Sequence, residues 1–389
     1  MRKNDLSGRA AAFLAGVLAA ILIVTLVFGG VSPLFASLKY ASLLRIVRTR
    51  FIGDYDVGEV TDGALAGAVQ SLDDHWSYYM DAETYAAYQD YSANVYQGIG
   101  VTISQDEESG GFLIVSVTKD GPAQRAGIAA GDIILAVDGE SVVGGDTGDV
   151  RTLIQADYGG TAVVTVLRED GSTEDIPVSC EVVFSSPVRY EMLDGGVGYI
   201  DIDNFRDGAA AESVAAIETL IDEGASALVF DVRSNPGGQL TELVALLDYL
   251  LPEGVVFIRS DKAGHESVET SDASCVELPM AVLVNGDSYS AAEFFAAALR
   301  EYEWATVVGE ATTGKSRSQV TYPLADGSAV HISQFAYLTP NRVDLYETGG
   351  IVPDVEIALS DEDRLLFDTG WLTSGQDLQI QAAIDKLRA

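Results

Sequence analysis

The chain has 389 residues, 48% of them hydrophobic, with 23 Lys and Arg against 59 Asp and Glu, a formal net charge of −36. That length and apolar fraction exclude a disordered chain and leave room for two or three domains with cores of their own. A surface so negative repels phosphate backbones, so no nucleic-acid partner is expected, and the charge either disfavours acidic substrates or serves solubility alone.

Arg2, Lys3 and Arg9 precede an uninterrupted apolar and small-residue run from Ala10 to Gly30, close to the ~20 residues a bilayer helix needs. The basic flank predicts a cytoplasmic tail at 1–9, a single transmembrane signal anchor at 10–30, and everything after it outside the cell membrane. A cleaved signal peptide is the alternative; Leu34 two residues before Ala36 spoils a small-x-small cleavage site. Residues 31–95 read as a helical N-terminal segment, on Leu43, Leu44, Ile46 and Val47 and the alanine-rich Ala64 to Val69. His75, inside SLDDHWSYYM (71–80), has no companion at metal-ligand spacing and reads as a packing or hydrogen-bonding histidine.

From 96 to 183 the texture changes to short strands, Phe112 to Val117, Ile133 to Val137 and Ala162 to Arg168, with turns at Asp138-Gly139 and Asp170-Gly171. The centre of this β-rich domain, VTKDGPAQRAGIAAGDIILAVDGESV, resembles a PDZ domain of the bacterial protease type. By that resemblance Tyr96, Gln97, Gly98, Ile99, Gly100 and Val101 form the substrate-binding loop. A glycine-containing loop before a strand leaves backbone N–H groups free for a terminal carboxylate while the peptide adds a strand to the sheet edge. The same glycines also fit a turn with no ligand.

Phe184-Ser185-Ser186-Pro187 reads as a linker into an α/β domain over 184–389. There Gly198 to Asp203, Ala227 to Val232, Met280 to Val284 and Trp304 to Gly309 are buried strands, and Glu212 to Glu223 and Leu240 to Leu251 are helices. Asp231 and Arg233 read as loop-fixing residues. Ser234-Asn235-Pro236-Gly237-Gly238 follows one strand and opens a helix, where backbone amides can approach an anionic oxygen; it also fits a tight turn. Asn285-Gly286-Asp287 ends the next strand, and Ser290 starts the next helix with Glu293 three residues on, the pattern of a capping box. Ser290 thus sits at a strand-to-helix turn, where a hydroxyl is exposed beside backbone N–H groups. Lys315 follows the loop Ala311-Thr312-Thr313-Gly314. A lysine can act as a base toward a serine only if desolvation lowers its pKa toward neutrality; otherwise it is a solvated surface amine. If the two strand-loop-helix units are parallel neighbours, both loops lie at one end of the sheet.

VLVNGDSYSAAEFFAAAL, FDVRSNPGG (230–238) and GEATTGKSRSQ (309–319) together resemble the carboxyl-terminal processing peptidases, serine proteases with a Ser–Lys dyad and a PDZ domain. SLDDHWSYYM, YLTPNR (337–342) and GIVPDV (350–355) resemble further stretches of the family, so the likeness runs from about Leu43 to the end. It implies a crotonase-like α/β catalytic domain with Ser290 as nucleophile, Lys315, 25 residues later, as general base, and Gln319 orienting the lysine. It also implies an oxyanion hole from the N–H of Gly237 or Gly238 and that of Ala291. The chain departs from the family at Tyr289 and Ala292, around the serine, and at Ser316, where the family has glycine after the lysine. On a straight strand Lys315 and Gln319 stand roughly 13 Å apart at 3.3 Å per residue, so their contact needs a turn or bulge.

The resulting expectation is a membrane-anchored serine endopeptidase acting on polypeptides with free C-termini, without metal or cofactor, a homo-oligomer being left open. Two other readings stand beside it: a PDZ-bearing scaffold with an inactive protease domain, and a hydrolase using His265 or His331 as base. His265 reads as part of an exposed polar loop and His331 as the start of a strand. Cys180 and Cys275 carry no metal spacing, and their distance along the chain leaves pairing undecided.

Overall fold

The computed structural model describes residues 16, 17, 19, 22, 31–156 and 159–388. The chain divides between Leu65 and Ala66, inside the Val57–Gln70 helix. The first unit contains the Val31–Arg50 helix, which is largely exposed along its described side chains. The span expected at 10–30 lies outside the described residues save for four positions; among the described residues no helix is long and apolar enough to cross a membrane.

The second unit is built on a six-stranded sheet ordered Val188–Leu193, Val197–Ile202, Ala227–Asp231, Met280–Val284, Ala305–Gly309, Val355–Glu356. Only the first pair is antiparallel. Met280–Val284 is buried along its whole length, because helices cover both faces of a parallel sheet. Alternation along the strands sorts their side chains into two cores. Leu228, Phe230, Val282 and Val284 face the Leu240–Leu250 and Ala291–Glu301 helices. Val229, Ala281, Leu283 and Val308 face Ile380, Ala383 and Ile384 of the Leu378–Leu387 helix. That helix is bolted to the sheet by buried charge: Arg233 pairs with Asp231 and with Asp377 at 2.7 Å, and also reaches Gln379 at 2.8 Å.

A second sheet brings Tyr78–Met80, Ala329–Leu338, Gly254–Ser260 and Glu266–Ser271 together, with Arg317–Pro323 also paired to Ala329–Leu338. Reading 31–95 as a helical segment therefore fails at Tyr78–Met80. This is a strand because Ala329–Leu338 supplies its ladder, in the register Tyr78↔His331, before the Ala82–Ser92 helix begins.

The third assembly is an antiparallel β domain of Val101–Gln105, Phe112–Val117, Ile133–Val137, Thr161–Leu167 and Thr173–Ser179, with Val101–Gln105 at one edge. Its core holds Phe112, Ile114, Ile134, Val164 and Val166, all fully buried. Val95–Gly98 pairs with Glu181–Phe184, so the strands entering and leaving this domain form its stem. Cys180 is buried here and Cys275 lies in the other domain; neither forms a disulfide.

Candidate active site

Ala227–Asp231 and Met280–Val284 are parallel neighbours, in the register Leu228↔Met280 to Asp231↔Leu283, so the loops after them emerge side by side. Side chains sew those loops together. Asn285 Oδ1 accepts from Ser234 N–H at 2.8 Å, Ser288 Oγ donates to Val232 O at 2.7 Å, and Asn235 O accepts from Tyr289 N–H at 3.1 Å. Gly237 has φ +84°, and a Cβ there would fall 2.9 Å from Ser290 Cβ and 2.8 Å from Ala291 N, so only glycine fits against the serine turn. Ser290 itself has φ +59° and ψ −124°, a backbone state that side-chain-bearing residues rarely hold. Such strain costs on the order of 1–3 kcal/mol and persists where surrounding contacts over-determine it.

Those contacts converge on Glu293, which is fully buried. One carboxylate oxygen accepts from the Ser290 and Lys315 N–H groups at 3.0 and 2.8 Å. The other accepts from Gly314 N–H at 2.6 Å and Thr312 Oγ1 at 2.5 Å. The helix-start acid that reads as half of a capping box therefore also fixes the 312–315 loop. Burial raises the Glu293 pKa while these four donors oppose the rise.

Lys315 Nζ lies 3.9 Å from the centre of the Trp76 ring and 5.4 Å from that of Tyr289. Burial pushes its pKa down to about 8, against the opposing pull of the Asp74 and Glu293 charges. Trp76 reaches the site because Ser77 Oγ donates to the Asp74 carboxylate and accepts from Ser333 N–H at 2.9 Å, pinning the start of Tyr78–Met80. Ser290, Lys315, Gln319, Gly237 and Gly238 line one cavity of about 450 Å³, walled by Trp76, Tyr289 and other aromatic rings. A hydroxyl on a strained turn and an amine of lowered pKa in one half-enclosed cavity are the components of nucleophilic catalysis.

The remaining candidates divide. Gln319 lines the cavity and sits at a register shift between Ser318 and Gln319, but its Nε2 donates to Arg317 O and Ser333 Oγ, each at 2.9 Å, and no described hydrogen bond joins it to Lys315. Gly237 N–H donates to Asn235 Oδ1 at 2.8 Å. Gly238 and Ala291 N–H donate to no described residue. Ser316 Oγ donates to Asp344 and accepts from Tyr346 N–H at 3.1 Å, so the residue in place of glycine latches the Lys315 loop to the start of the Leu345–Thr348 helix. Asp231 and Arg233 are committed to each other beneath the site.

His265 is exposed, 3.0 Å from Asp261. His331 lines the cavity, with Nδ1 2.8 Å from Thr321 Oγ1, and burial together with the Lys315 charge pushes its pKa down to about 4. Glu293 and Trp76 were not singled out as site residues from sequence, whereas His331 was, as the alternative base. Only the resemblance of SLDDHWSYYM pointed toward one of them. Among the described residues no cluster of His, Cys, Asp and Glu could hold a metal.

In the β domain, Tyr96–Val101 line a separate groove of about 500 Å³ together with Ile154, Gln155 and Arg151 of the Thr147–Ala156 helix. Tyr96, Gln97 and Gly98 belong to the stem strand rather than to a loop; the turn is Ile99-Gly100, with Gly100 at φ +82°.

Comparison with known proteins matches these regions separately. Residues 196–357 match the family model of peptidase family S41, 113–168 that of a PDZ domain, and 36–84 the N-terminal domain of the activating protease CtpB. The chain is 31% identical over 321 residues to the carboxy-terminal processing protease CtpA of Bacillus subtilis, covering 82% of this chain and 68% of that one. It is 32% identical over 308 residues to a CtpA-like serine protease of Staphylococcus haemolyticus, covering 78% of this chain and 61% of that one. A Bacteroides fragilis structure assigned to the S41 proteases superposes with a TM-score of 0.57 at 17% identity, over 87% of this chain and 92% of that one, a likeness of fold.

Proposed function

Because the chain belongs to the carboxyl-terminal processing peptidases, serine-type proteases of family S41, we propose that Ser290 and Lys315 are its catalytic dyad. The observation that carries this reading is the shared cavity, lined both by Lys315, whose pKa burial brings to about 8, and by a serine held on a strained turn. Neutral Lys315 takes the Ser290 proton as Oγ bonds to the scissile carbonyl carbon. The oxyanion rests on the N–H groups of Gly238 and Ala291, which have no other described acceptor. The C–N bond then breaks, the leaving amine receives the proton from Lys315, and Lys315 next deprotonates a water that hydrolyses the acyl-enzyme. Gln319 helps orient the lysine once substrate redirects its amide.

The Tyr96–Val101 groove would hold the substrate's C-terminal carboxylate while the peptide pairs with the edge strand Val101–Gln105. The finer architecture of 184–389 is taken as crotonase-like. Residues 10–30 are taken as one membrane anchor that leaves the catalytic part extracytoplasmic.

Purified Ser290→Ala and Lys315→Ala variants, assayed on an unstructured polypeptide, are expected to lose turnover by about 10⁴-fold or more, the scale seen when a nucleophile or its base is removed. Circular dichroism should stay unchanged. Retained turnover in either variant rejects the dyad.

A further inference from the structure

The sign of the active-site cavity is opposite to that of the molecule. In a chain with 59 acidic and 23 basic residues, no aspartate or glutamate lines the cavity among the described residues, whereas Arg206, Arg259 and Lys315 all do. The nearby carboxylates are engaged elsewhere. Asp203 is held by Arg189 at 2.7 Å, Asp207 accepts from the Gln239 amide, Asp74 accepts from Ser77 and from Trp76 N–H, and Glu293 holds four donors. Asp287 acts on Tyr289 from outside the lining.

Arg206 stands apart from the other cations. Arg259 reaches Glu269, at 3.7 Å, and Lys315 is committed to the reaction. Arg206 is half-buried, with its guanidinium carbon 3.3 Å over the Tyr91 ring and one nitrogen 3.4 Å from Tyr91 O, and it pairs with no carboxylate among the described residues. Burial works against its charge, and the Asp203 carboxylate is among the charges that oppose this from a distance, with no described ion pair or hydrogen bond to it. A planar, preorganised, partly desolvated guanidinium without a paired anion is a ready partner for one, and a cleft lined by one sign of charge focuses the field on what enters it.

We propose that the cleft selects peptides that carry a carboxylate near the bond to be cut, and that Arg206 is the specificity-determining residue that binds it. The carboxylate is either an acidic side chain beside the scissile bond or, in a peptide too short for its end to reach the Tyr96–Val101 groove, the free carboxyl terminus, since both present the same two oxygens. This deepens the peptidase reading above and rests on it. Of the two readings of the net charge, it favours solubility alone: the chain is negative overall, but the cleft is not.

The test uses two matched pairs of fluorogenic peptides, one pair differing as free acid against amide at the C-terminus, the other as Asp against Asn beside the scissile bond. The ratio of kcat/KM within each pair is measured on the full chain and on Arg206→Gln, at low and high salt, and affinity for the same four peptides is measured by fluorescence anisotropy on Ser290→Ala. At low salt the charged member of at least one pair should be favoured about tenfold, as for one charge-assisted hydrogen-bonded pair. That ratio should shrink with added salt and fall toward one in Arg206→Gln. The pair that responds identifies the source of the carboxylate. Ratios near one in both pairs, in turnover and in binding, overturn the proposal, and a preference unchanged in Arg206→Gln overturns the role of Arg206. A binding preference that survives while none of the four peptides is cleaved would instead strike the dyad reading and leave the carboxylate site standing.

Discussion

Two cavities of nearly equal volume, about 450 and 500 Å³, sit in the same unit and are built by opposite means. The cleft of Ser290 and Lys315 lies at the end of a buried parallel sheet, where neighbouring loops are cross-linked by side chains and a single carboxylate gathers four donors. The groove of the PDZ domain lies along Val101–Gln105, an edge strand with one pairing partner, closed on the other side by a short helix. The contrast separates two demands. Chemistry needs atoms held to a fraction of an ångström, whereas strand addition needs main-chain groups left unpaired.

The comparison breaks first if Glu293 is unimportant. Glu293→Gln replaces one acceptor oxygen by an NH₂ group facing N–H donors. Turnover should fall roughly a hundredfold or more, since small misplacements of reacting groups cost that much. Chemical denaturation should show a loss of about 2–3 kcal/mol, the scale for a buried, unsatisfied polar group. A smaller effect follows at Trp76. Trp76→Ala admits water to Lys315, and because burial is the main cause of its lowered pKa, the value of about 8 should climb toward the ordinary lysine range near 10.4. The dyad needs the neutral amine, so activity rises as pH passes upward through this pKa. In the variant that limb moves to higher pH, and the rate at pH 7.5 drops about tenfold for each unit of the move. A pH–rate profile that does not shift would show that the ring does not shield the amine. The smallest effect belongs to the open groove. In Gly100→Val a side chain is forced onto φ +82°, 3.3 Å from Thr118 Cβ. KM for a long polypeptide should rise about fivefold with kcat changed less, the pattern of lost uniform binding.

What could be read from the residues follows from how locally each feature is encoded. Met280–Val284 is a short β-branched apolar run between turn signals, and it folds as that strand. Helices at 209–222 and 240–250 likewise carry their own periodicity. Tyr78–Met80 carries none, because three aromatic and apolar residues become a strand only when a distant strand offers its edge. The strand-to-helix turn at Ser290, the small-residue loop before Lys315 and the family resemblance brought the two into view. They gave no sign that Glu293 reaches 22 residues ahead to Lys315 N–H, since an acid at the third helical position looks the same whether or not a second loop uses it. The commitment of Gly237 N–H to Asn235 was hidden for the same reason, and so was the local sign of the cleft, which no sum over the chain contains.

The shared carboxylate of Glu293 has a consequence for how such a molecule can change over time. With two loops hung on one peg, an insertion or a drift in either is felt at once by the other, so they can vary only together. Diversity is therefore expected to accumulate around the mouth, at positions such as 206 and 289, where a new side chain changes what is admitted without loosening the peg.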